Sequence, residues 1–183
     1  MKMFVGSDIH GSIYYAKKMI EAFEAEECER MLLLGDVLYH GPRNDLPYEY
    51  APKEVIALLN EYKEYITCVR GNCEAEVDQM VLDFEVMDDY KIIHNGKRDI
   101  FMTHGHNYNQ GNLPYLAHNM ILLHGHTHIP ALIELDKCIY MNPGSVSIPK
   151  NDSCHSYMVI EDNRYIWKDL LSGEIYKEYK DNI

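Results

Sequence analysis

Short apolar segments separated by polar turns recur along the chain, and in five places a segment is followed by a residue that can bind a metal ion. The segments cover residues 2–7, 31–35, 66–71, 100–103 and 120–123. Runs of this length and composition are typical of buried strands. If such strands lie side by side in one sheet, their ends bring these candidate ligands to a single edge: Asp8, His10, Asp36, Asn72, His104, His126 and His128.

Helical spacing of apolar residues occurs between these runs. Residues 11–27 carry apolar side chains on one face, which predicts a helix that returns the chain to a second, parallel strand. Pro52 suits the first turn of a helix that ends near Glu61. Shorter helices are predicted over residues 74–81 and 112–118.

Much of the remaining chain is predicted to form short strands. Turn-linked apolar runs favour strands at 65–69, 83–87, 90–94, 99–103, 131–135, 138–141, 156–160, 164–167 and 174–179. Asn95-Gly96 is typical of a hairpin turn. Because no shift in composition marks a linker, residues 1–183 are predicted to form one α/β domain with two facing mixed sheets flanked by helices.

The chain is acidic, with 29 acidic against 17 basic residues and a formal net charge of −12. This balance argues against a protein that holds nucleic acid along a broad basic surface, so a phosphate substrate would need local positive charge such as bound metal ions. Five cysteines without a C-x-x-C pair, and no long apolar stretch, predict a reduced cytoplasmic protein without a membrane partner. The acidic runs 21–29 and 74–78 are interpreted as solvated helix faces.

The candidate ligands are carboxylates, imidazoles and one amide, a set that suits two divalent cations. Asp8 and His10 are two residues apart, so in an extended segment both side chains would point the same way, and His126 and His128 repeat the spacing. Asp36 is the natural bridging ligand, because the two oxygens of its carboxylate can serve two metals. Two adjacent metals suit phosphoryl chemistry, which predicts a binuclear metallohydrolase.

These motifs resemble, in order and spacing, the calcineurin-like metallophosphoesterases. The motifs are Asp8-Ile9-His10, Gly35-Asp36, Gly71-Asn72, His104 and Gly125-His126-Thr127-His128. More narrowly, residues 35–44, 70–74, 103–106 and 142–147 resemble the YfcE-type bacterial phosphodiesterases. The resemblance implies a four-layer α/β/β/α sandwich with a two-metal site, usually manganese-dependent, in which a hydroxide that bridges the metals attacks phosphorus.

The resemblance also assigns ligands to each metal. One ion would take Asp8, His10, Asp36 and His128, and the other would take Asp36, Asn72, His104 and His126. Fe, Ni, Zn and Mg stay open beside Mn, because these metals tolerate the same nitrogen and oxygen ligands. His124 is expected to hydrogen-bond near the ligands rather than to bind metal, and the histidines interpreted as structural or solvated are His94, His118 and His155.

Departures from the family pattern bear on the substrate. Many relatives carry His after the Gly-Asn pair, where it is thought to assist the leaving group, but this chain has Cys73. A neutral thiol is a weak proton donor, which favours diesters over monoesters. Arg43 and His40 in the long loop 37–51, together with His106, are the candidate substrate contacts. The predicted catalytic residues are Asp36, Asn72, Cys73 and His106.

The leading hypothesis is therefore a metal-dependent phosphodiesterase that acts on small diesters. A phosphomonoesterase is an alternative, and a nuclease is disfavoured by the net charge. A non-catalytic scaffold is another alternative, because the same fold serves as the retromer scaffold subunit of eukaryotes, where the metal site is degenerate. In this chain no ligand is missing, which disfavours the scaffold. No nucleic acid or membrane partner is expected, whereas the family resemblance favours a homo-oligomer, either a dimer or a tetramer.

Overall fold

The computed structural model describes residues 1–96, 98–116 and 119–182. Within these ranges the chain forms three helices and eleven strands. The helices are α1 (Ile13–Ala25), α2 (Pro52–Glu61) and α3 (Glu76–Val81). The strands are β1 (Lys2–Gly6), β2 (Arg30–Leu33), β3 (Ile66–Cys68), β4 (Tyr90–His94), β5 (Asp99–Thr103), β6 (Met120–Leu123), β7 (Ala131–Glu134), β8 (Cys138–Asn142), β9 (Ser156–Glu161), β10 (Arg164–Asp169) and β11 (Ile175–Lys180).

The first sheet has six strands in the order β11-β10-β9-β1-β2-β3. Strand β1 is parallel to β2, with Val5 opposite Leu32, and β2 is parallel to β3. On the other side, β9 runs antiparallel to β1, and β10 and β11 continue as an antiparallel meander. The parallel pairing predicted for the first strand–helix–strand unit is confirmed, and the carboxyl ends of β1, β2 and β3 share one edge.

Helices α1 and α2 pack against one face of this sheet. Helix α1 begins after Ser12, whose Oγ accepts a hydrogen bond from the backbone N–H of Tyr15. Its apolar stripe, which includes Met19 and Phe23, is buried against the sheet. Since each large buried apolar side chain contributes roughly 2 kcal/mol, this stripe, more than helix propensity, holds α1 in place. Pro52 occupies the first turn of α2, as predicted.

The second sheet has five strands in the order β4-β5-β6-β8-β7. A shared apolar layer joins the two sheets face to face and includes Met3, Met102 and Leu123. Trp167 is fully buried in the same layer, and its indole N–H donates to the backbone carbonyl of Asn142 at 2.7 Å, so the polar atom of this large side chain is paired. The predicted α/β fold of two mixed sheets is therefore confirmed.

Two local predictions differ from the structure. Residues 83–87 are not a strand, because side chains rather than a neighbouring strand take up their backbone groups: the N–H of Val86 donates to Gln79 Oε1 at 2.9 Å. Residues 112–116 of the predicted helix 112–118 are not helical, and 117–118 lie outside the described residues. Among the described residues, loop side chains such as Tyr108 and Leu116 pack on the outer face of the second sheet.

The assignment of residues 1–183 to a single domain stays a prediction. In the described part of the chain, every helix is too short or too polar to cross a membrane.

Candidate metal centre

The candidate ligands follow strand ends of both sheets, where they face one another. Asp8, Asp36 and Asn72 come after β1, β2 and β3 of the six-stranded sheet, whereas His104 and His126 come after β5 and β6 of the five-stranded sheet. The expectation of a single sheet edge is therefore wrong, because the long connection through β4 starts a second sheet. The ligands converge nevertheless, since the shared core aligns the two edges.

One cluster consists of Asp8, His10 and His128, whose ligand atoms all lie within 4.8 Å of one another. His10 Nδ1 donates to the backbone carbonyl of Tyr39 at 2.7 Å, and His128 Nδ1 donates to that of Ile148 at 2.7 Å. In each neutral ring the proton is therefore on Nδ1, and Nε2 carries a lone pair. The two Nε2 atoms face each other at 3.3 Å, with Asp8 Oδ1 only 3.2 Å from that of His128.

A second cluster surrounds the carboxylate of Asp36. His104 Nδ1 donates to the backbone carbonyl of Leu34 at 2.6 Å, so its Nε2 is again the acceptor in the neutral ring. That nitrogen lies 3.4 Å from Asp36 Oδ2, 3.1 Å from Asn72 Oδ1 and 3.1 Å from His126 Nδ1. Asp36 Oδ2 is also 3.7 Å from His10 Nε2 in the first cluster, so the carboxylate lies between the two clusters, where a bridging ligand must lie.

These donor sets fit divalent cations. Lone pairs that face one another in a buried site repel unless a positive charge lies between them. Asp8 Oδ1 supports this fit, because it is completely buried and accepts no hydrogen bond, while Asp8 Oδ2 accepts one from Ser7 Oγ at 2.6 Å. Two carboxylates, an amide and four imidazoles are ligands that Mn, Fe, Ni, Zn and Mg accept, so the identity of the metal is not set by the donor atoms.

The electrostatics of the metal-free site agree with this interpretation. Burial raises the pKa of Asp8, but the contact and charge of His128 outweigh burial and hold that pKa well below its usual range. Burial lowers the pKa of His104, yet the hydrogen-bonding contact with Asp36 and the charges of Asp8 and Asp36 raise it to about 9. The raised pKa of His104 indicates that this cluster stabilises positive charge.

The ligand-bearing backbone is not extended. Asp8, His10, Asp36, His126 and His128 all have left-handed φ angles, between 50° and 64°. The extended geometry predicted for the two i, i+2 pairs is therefore wrong, although both members of each pair still reach the site. A left-handed residue other than glycine costs about 1–2 kcal/mol, so the surrounding structure must stabilise this conformation.

Side chains that the sequence analysis did not single out hold these loops. The hydroxyls of Ser145 and Ser147 both donate to the backbone carbonyl of Asp8, at 2.9 and 3.0 Å. Gly71 approaches Asp36 so closely that a Cβ at position 71 would clash with the Asp36 carboxylate. Only the resemblance of residues 142–147 to a family motif pointed towards the two serines, and their contact with Asp8 has no local signal in the sequence.

Glu74 corrects the interpretation of residues 74–78 as a solvated face. It lies outside α3, only 5% of its surface is exposed, and its carboxylate accepts three backbone N–H groups. Oε2 accepts from Asp36 at 2.9 Å and from Gly71 at 2.5 Å, and Oε1 accepts from Val37 at 2.7 Å. Glu74 therefore ties the loop after β2 to the loop after β3. Burial, followed by the charge of Asp36, raises the pKa of Glu74 to about 7.

Replacing Glu74 by Gln should loosen the metal centre, because an NH₂ group would face a backbone N–H that now donates to a carboxylate oxygen. We expect a loss of about 1–3 kcal/mol in the free energy of unfolding. Metal affinity should fall by roughly 10–100-fold, as for other residues that orient metal ligands. Urea unfolding and titration calorimetry measure the two effects. Glu76→Gln, in the exposed first turn of α3, is the matched control and should change neither.

Without bound metal, the free energy of unfolding should rise with pH in an acidic window, fall with pH in an alkaline window and peak between them. Burial lowers the pKa values of His124 and His126 to about 4, from 6.5, so the unfolded chain binds more protons and stability rises with pH between these values. The raised pKa of Glu74 opposes part of this rise, because the folded chain keeps a proton on that carboxyl group that the unfolded chain releases. The raised pKa of His104 gives stability that is present below 6.5 and is lost as pH rises to about 9.

Urea unfolding with a chelator present, carried through both windows, checks this profile. In metal-loaded protein the alkaline decline should disappear, since metal ligation replaces the proton on His104. Stability of the chelated protein that keeps rising up to pH ~9 would contradict the assignment of His104 to the metal centre.

A cavity of about 360 Å³ opens over the metal centre. It is lined by four residues of the metal centre, Asp36, Asn72, His126 and His128, and by Gly41, Pro42, Arg43, Asn44, Cys73, Thr127 and Lys150. Of the predicted substrate contacts, Arg43 lines this cavity, whereas His40 and His106 do not. Lys150 was not foreseen, because a single lysine after an apolar run carries no distinctive pattern.

The remaining predicted histidines have mixed outcomes. His124 is buried, stacks on Tyr140 and keeps Nε2 unpaired, so it lies beneath the site without joining the two clusters. His106 is half-buried beside His104, with ring centroids 5.4 Å apart. His155 stacks on Tyr15 and His94 pairs with Asp99, as expected of structural or solvated residues, while His118 lies outside the described residues.

Comparison with known proteins places this geometry in a family. The model of the calcineurin-like phosphoesterase superfamily domain matches residues 1–164. The chain is 42% identical to phosphodiesterase YfcE of Escherichia coli (strain K12) over 163 residues, which is 89% of each chain. A solved structure of that E. coli phosphoesterase superposes with a TM-score of 0.96 at 40% identity and full coverage of both chains.

A more distant likeness concerns the fold alone. The structure of Vps29 from Entamoeba histolytica in complex with Zn²⁺ matches with a TM-score of 0.63 at 18% identity, covering 98% of this chain and 99% of the other. The domain match and the close relative together settle the family, and the converging ligand groups agree with it. The chain belongs to the calcineurin-like phosphoesterase superfamily and is a metal-dependent hydrolase of phosphate esters.

Proposed function

We propose that this protein is a binuclear metallophosphodiesterase that hydrolyses small phosphodiesters. The observation that carries the proposal is the position of Asp36, whose Oδ2 lies within 3.7 Å of acceptor nitrogens in both ligand clusters. One ion would be held by Asp8, His10, Asp36 and His128. The other would be held by Asp36, Asn72, His104 and His126. Manganese is proposed as the native metal by family resemblance.

When bound, two such cations would lower the pKa of an attacking water and neutralise charge on the phosphoryl oxygens. The chain's own residues would orient the substrate. Arg43 lines the cavity and can donate a pair of parallel N–H groups to phosphate oxygens. His40 and His106, which lie outside the cavity lining, would contact only parts of a substrate that extend beyond it.

The preference for diesters is supported by the chemistry of Cys73. Burial, followed by the charge of Asp36, raises the pKa of this thiol far above its ordinary value, so at neutral pH it stays protonated and is a very weak acid. Its Sγ accepts a hydrogen bond from Asn72 Nδ2 at 3.3 Å. Such a group gives little help to a poor leaving group. The printed name of the E. coli relative, a phosphodiesterase, agrees with this proposal.

A substrate screen tests the proposed function. Protein loaded in turn with Mn, Fe, Ni, Zn or Mg is assayed on bis-p-nitrophenyl phosphate, p-nitrophenyl phosphate and cyclic nucleotides. We expect faster hydrolysis of the diester than of the monoester, with the highest rate in manganese. Absence of diester hydrolysis with every metal would sink the proposal and would favour the scaffold alternative.

Replacing Cys73 by His tests the leaving-group argument separately. Imidazole is a much better proton donor near neutral pH than this thiol, and general acid catalysis contributes about 10²–10⁴-fold where a poor leaving group needs it. We expect a clear gain on alkyl p-nitrophenyl phosphates when the alkoxide leaves, and little change when nitrophenolate leaves. Product analysis separates the two cleavages. Cys154→His, at a half-buried cysteine that does not line the cavity, is the matched control.

A cytoplasmic location and a homo-oligomeric state, dimer or tetramer, complete the proposal. Both rest on the sequence and on family resemblance. Size-exclusion chromatography with light scattering measures the oligomeric state directly.

A further inference from the structure

The cavity over the metal centre contains two cations that the metal chemistry does not use. Arg43 comes from the loop after β2, and Lys150 comes from the segment between β8 and β9. Neither side chain has an ion-pair or hydrogen-bond partner among the described residues. In a chain with a net charge of −12, two unpaired cations that line the same cavity indicate an anionic ligand.

Hydrogen bonds hold the backbone of Lys150 against the metal centre and close the loop that carries Arg43. The N–H of Lys150 donates to the carbonyl of the metal ligand His128 at 3.2 Å, and its own carbonyl accepts from Ser153 Oγ at 2.7 Å. The loop that carries Arg43 closes through Asn44 Nδ2, which donates to the carbonyl of His40 at 2.8 Å. Both side chains are exposed and line the same cavity, and their backbones are braced by these hydrogen bonds.

Charge balance decides what ligand these cations suit. The charges of two divalent ions would be offset by the carboxylates of Asp8 and Asp36, by the attacking hydroxide and by a singly charged diester. Arg43 and Lys150 then remain as two further positive charges. A phosphate monoester group, which carries about −2 near neutral pH, matches them. The cavity volume of about 360 Å³ also falls in the range of small-ligand sites.

We propose that Arg43 and Lys150 form a second anion subsite that binds a separate phosphate group of the substrate. The proposal rests on the proposed function and narrows it: the preferred diesters carry a phosphate monoester group besides the scissile phosphate.

A matched pair of substrates tests the subsite. Thymidine 5′-(p-nitrophenyl phosphate) and its 3′-phosphate derivative share the scissile bond and the leaving group. In metal-loaded protein, we expect kcat/KM for the 3′-phosphorylated substrate to be roughly tenfold higher, mainly through KM, because one added charged hydrogen bond is worth about that factor. The double variant Arg43→Gln/Lys150→Gln should lose the preference, so that its kcat/KM values for the two substrates become equal. Lys53→Gln, an exposed lysine of α2 that does not line the cavity, should retain the preference.

Two outcomes overturn the subsite: equal kcat/KM for the two substrates in the unmodified protein, or a preference that survives in the double variant. A double variant that loses both substrates equally also overturns it, because the cations would then act on the scissile phosphate. Calorimetric binding of thymidine 3′,5′-bisphosphate against thymidine 5′-monophosphate gives a second readout. It reports the subsite even if neither ester is hydrolysed, which would be a failure of the proposed function instead.

Discussion

Replacing Asp36 by Asn is expected to lower kcat/KM for bis-p-nitrophenyl phosphate by about 10³-fold, since a metal ion contributes several kcal/mol of charge stabilisation in the transition state. Asp36 Oδ2 lies between His10 and His104, at 3.7 and 3.4 Å from their Nε2 atoms. Asn has almost the same shape, but it removes the negative charge and puts an NH₂ donor in place of one oxygen. Both ligand clusters would therefore lose affinity together.

The control for this variant is Asp45→Asn, which makes the same chemical change at an exposed position of the same loop. Steady-state kinetics of both variants, with circular dichroism to verify folding, provide the comparison. Asp36 Oδ1 also accepts a hydrogen bond from the backbone N–H of Cys73 at 2.9 Å, which the Asn side chain can keep through its carbonyl oxygen. If Asp36→Asn retains the unmodified rate at every metal concentration, Asp36 does not bridge two metals.

Removing the metal ions with a chelator is expected to lower the unfolding temperature as well as to abolish hydrolysis. Ions present at about 1,000 times their dissociation constant would stabilise the folded state by about 4 kcal/mol. The structural reason is that Asp8 Oδ1 is fully buried without a hydrogen bond and that five ligand residues hold strained left-handed backbones. When the metal ions are removed, only bound protons would offset the repulsion among the lone pairs of the ligand atoms.

Thermal unfolding with and without chelator measures this effect, and the His128→Ala variant provides the control. In that variant the first cluster lacks a ligand, so the chelator should change the unfolding temperature by a smaller amount. An unmodified protein whose unfolding temperature does not respond to the chelator would show that the clusters bind no stabilising metal. Restoration of both stability and activity by Mn²⁺ would complete the expected result.

Much of this site can be predicted from the sequence because each ligand directly follows a strand-forming run. The apolar run of β1 places Asp8 and His10, and the run of β2 places Asp36, without any knowledge of the rest of the chain. The error about a single sheet has a physical origin. Strand propensity indicates where β5 and β6 begin and end, but not which neighbours they pair with, since pairing depends on contacts between residues far apart in the chain.

The supports of the site could not be predicted in the same way. Glu74 belongs to an acidic run that is typical of a solvated helix, yet its carboxylate is buried by backbone N–H groups from two other loops. Ser145 and Ser147 reach the carbonyl of Asp8 across more than half of the chain. Lys150 enters the cavity only because its backbone is bonded to that of His128. These contacts are products of the tertiary fold rather than of local pattern.

A stoichiometric titration measures whether one chain holds two catalytic metal ions around Asp36. Protein is first stripped of metal with a chelator, which is then removed, and is titrated with Mn²⁺. Hydrolysis of bis-p-nitrophenyl phosphate and the amount of bound metal are measured in the same samples. We expect activity to reach its plateau only when two equivalents of Mn²⁺ per chain are bound. Full activity at one bound equivalent, or activity that is independent of bound metal, would contradict this expectation.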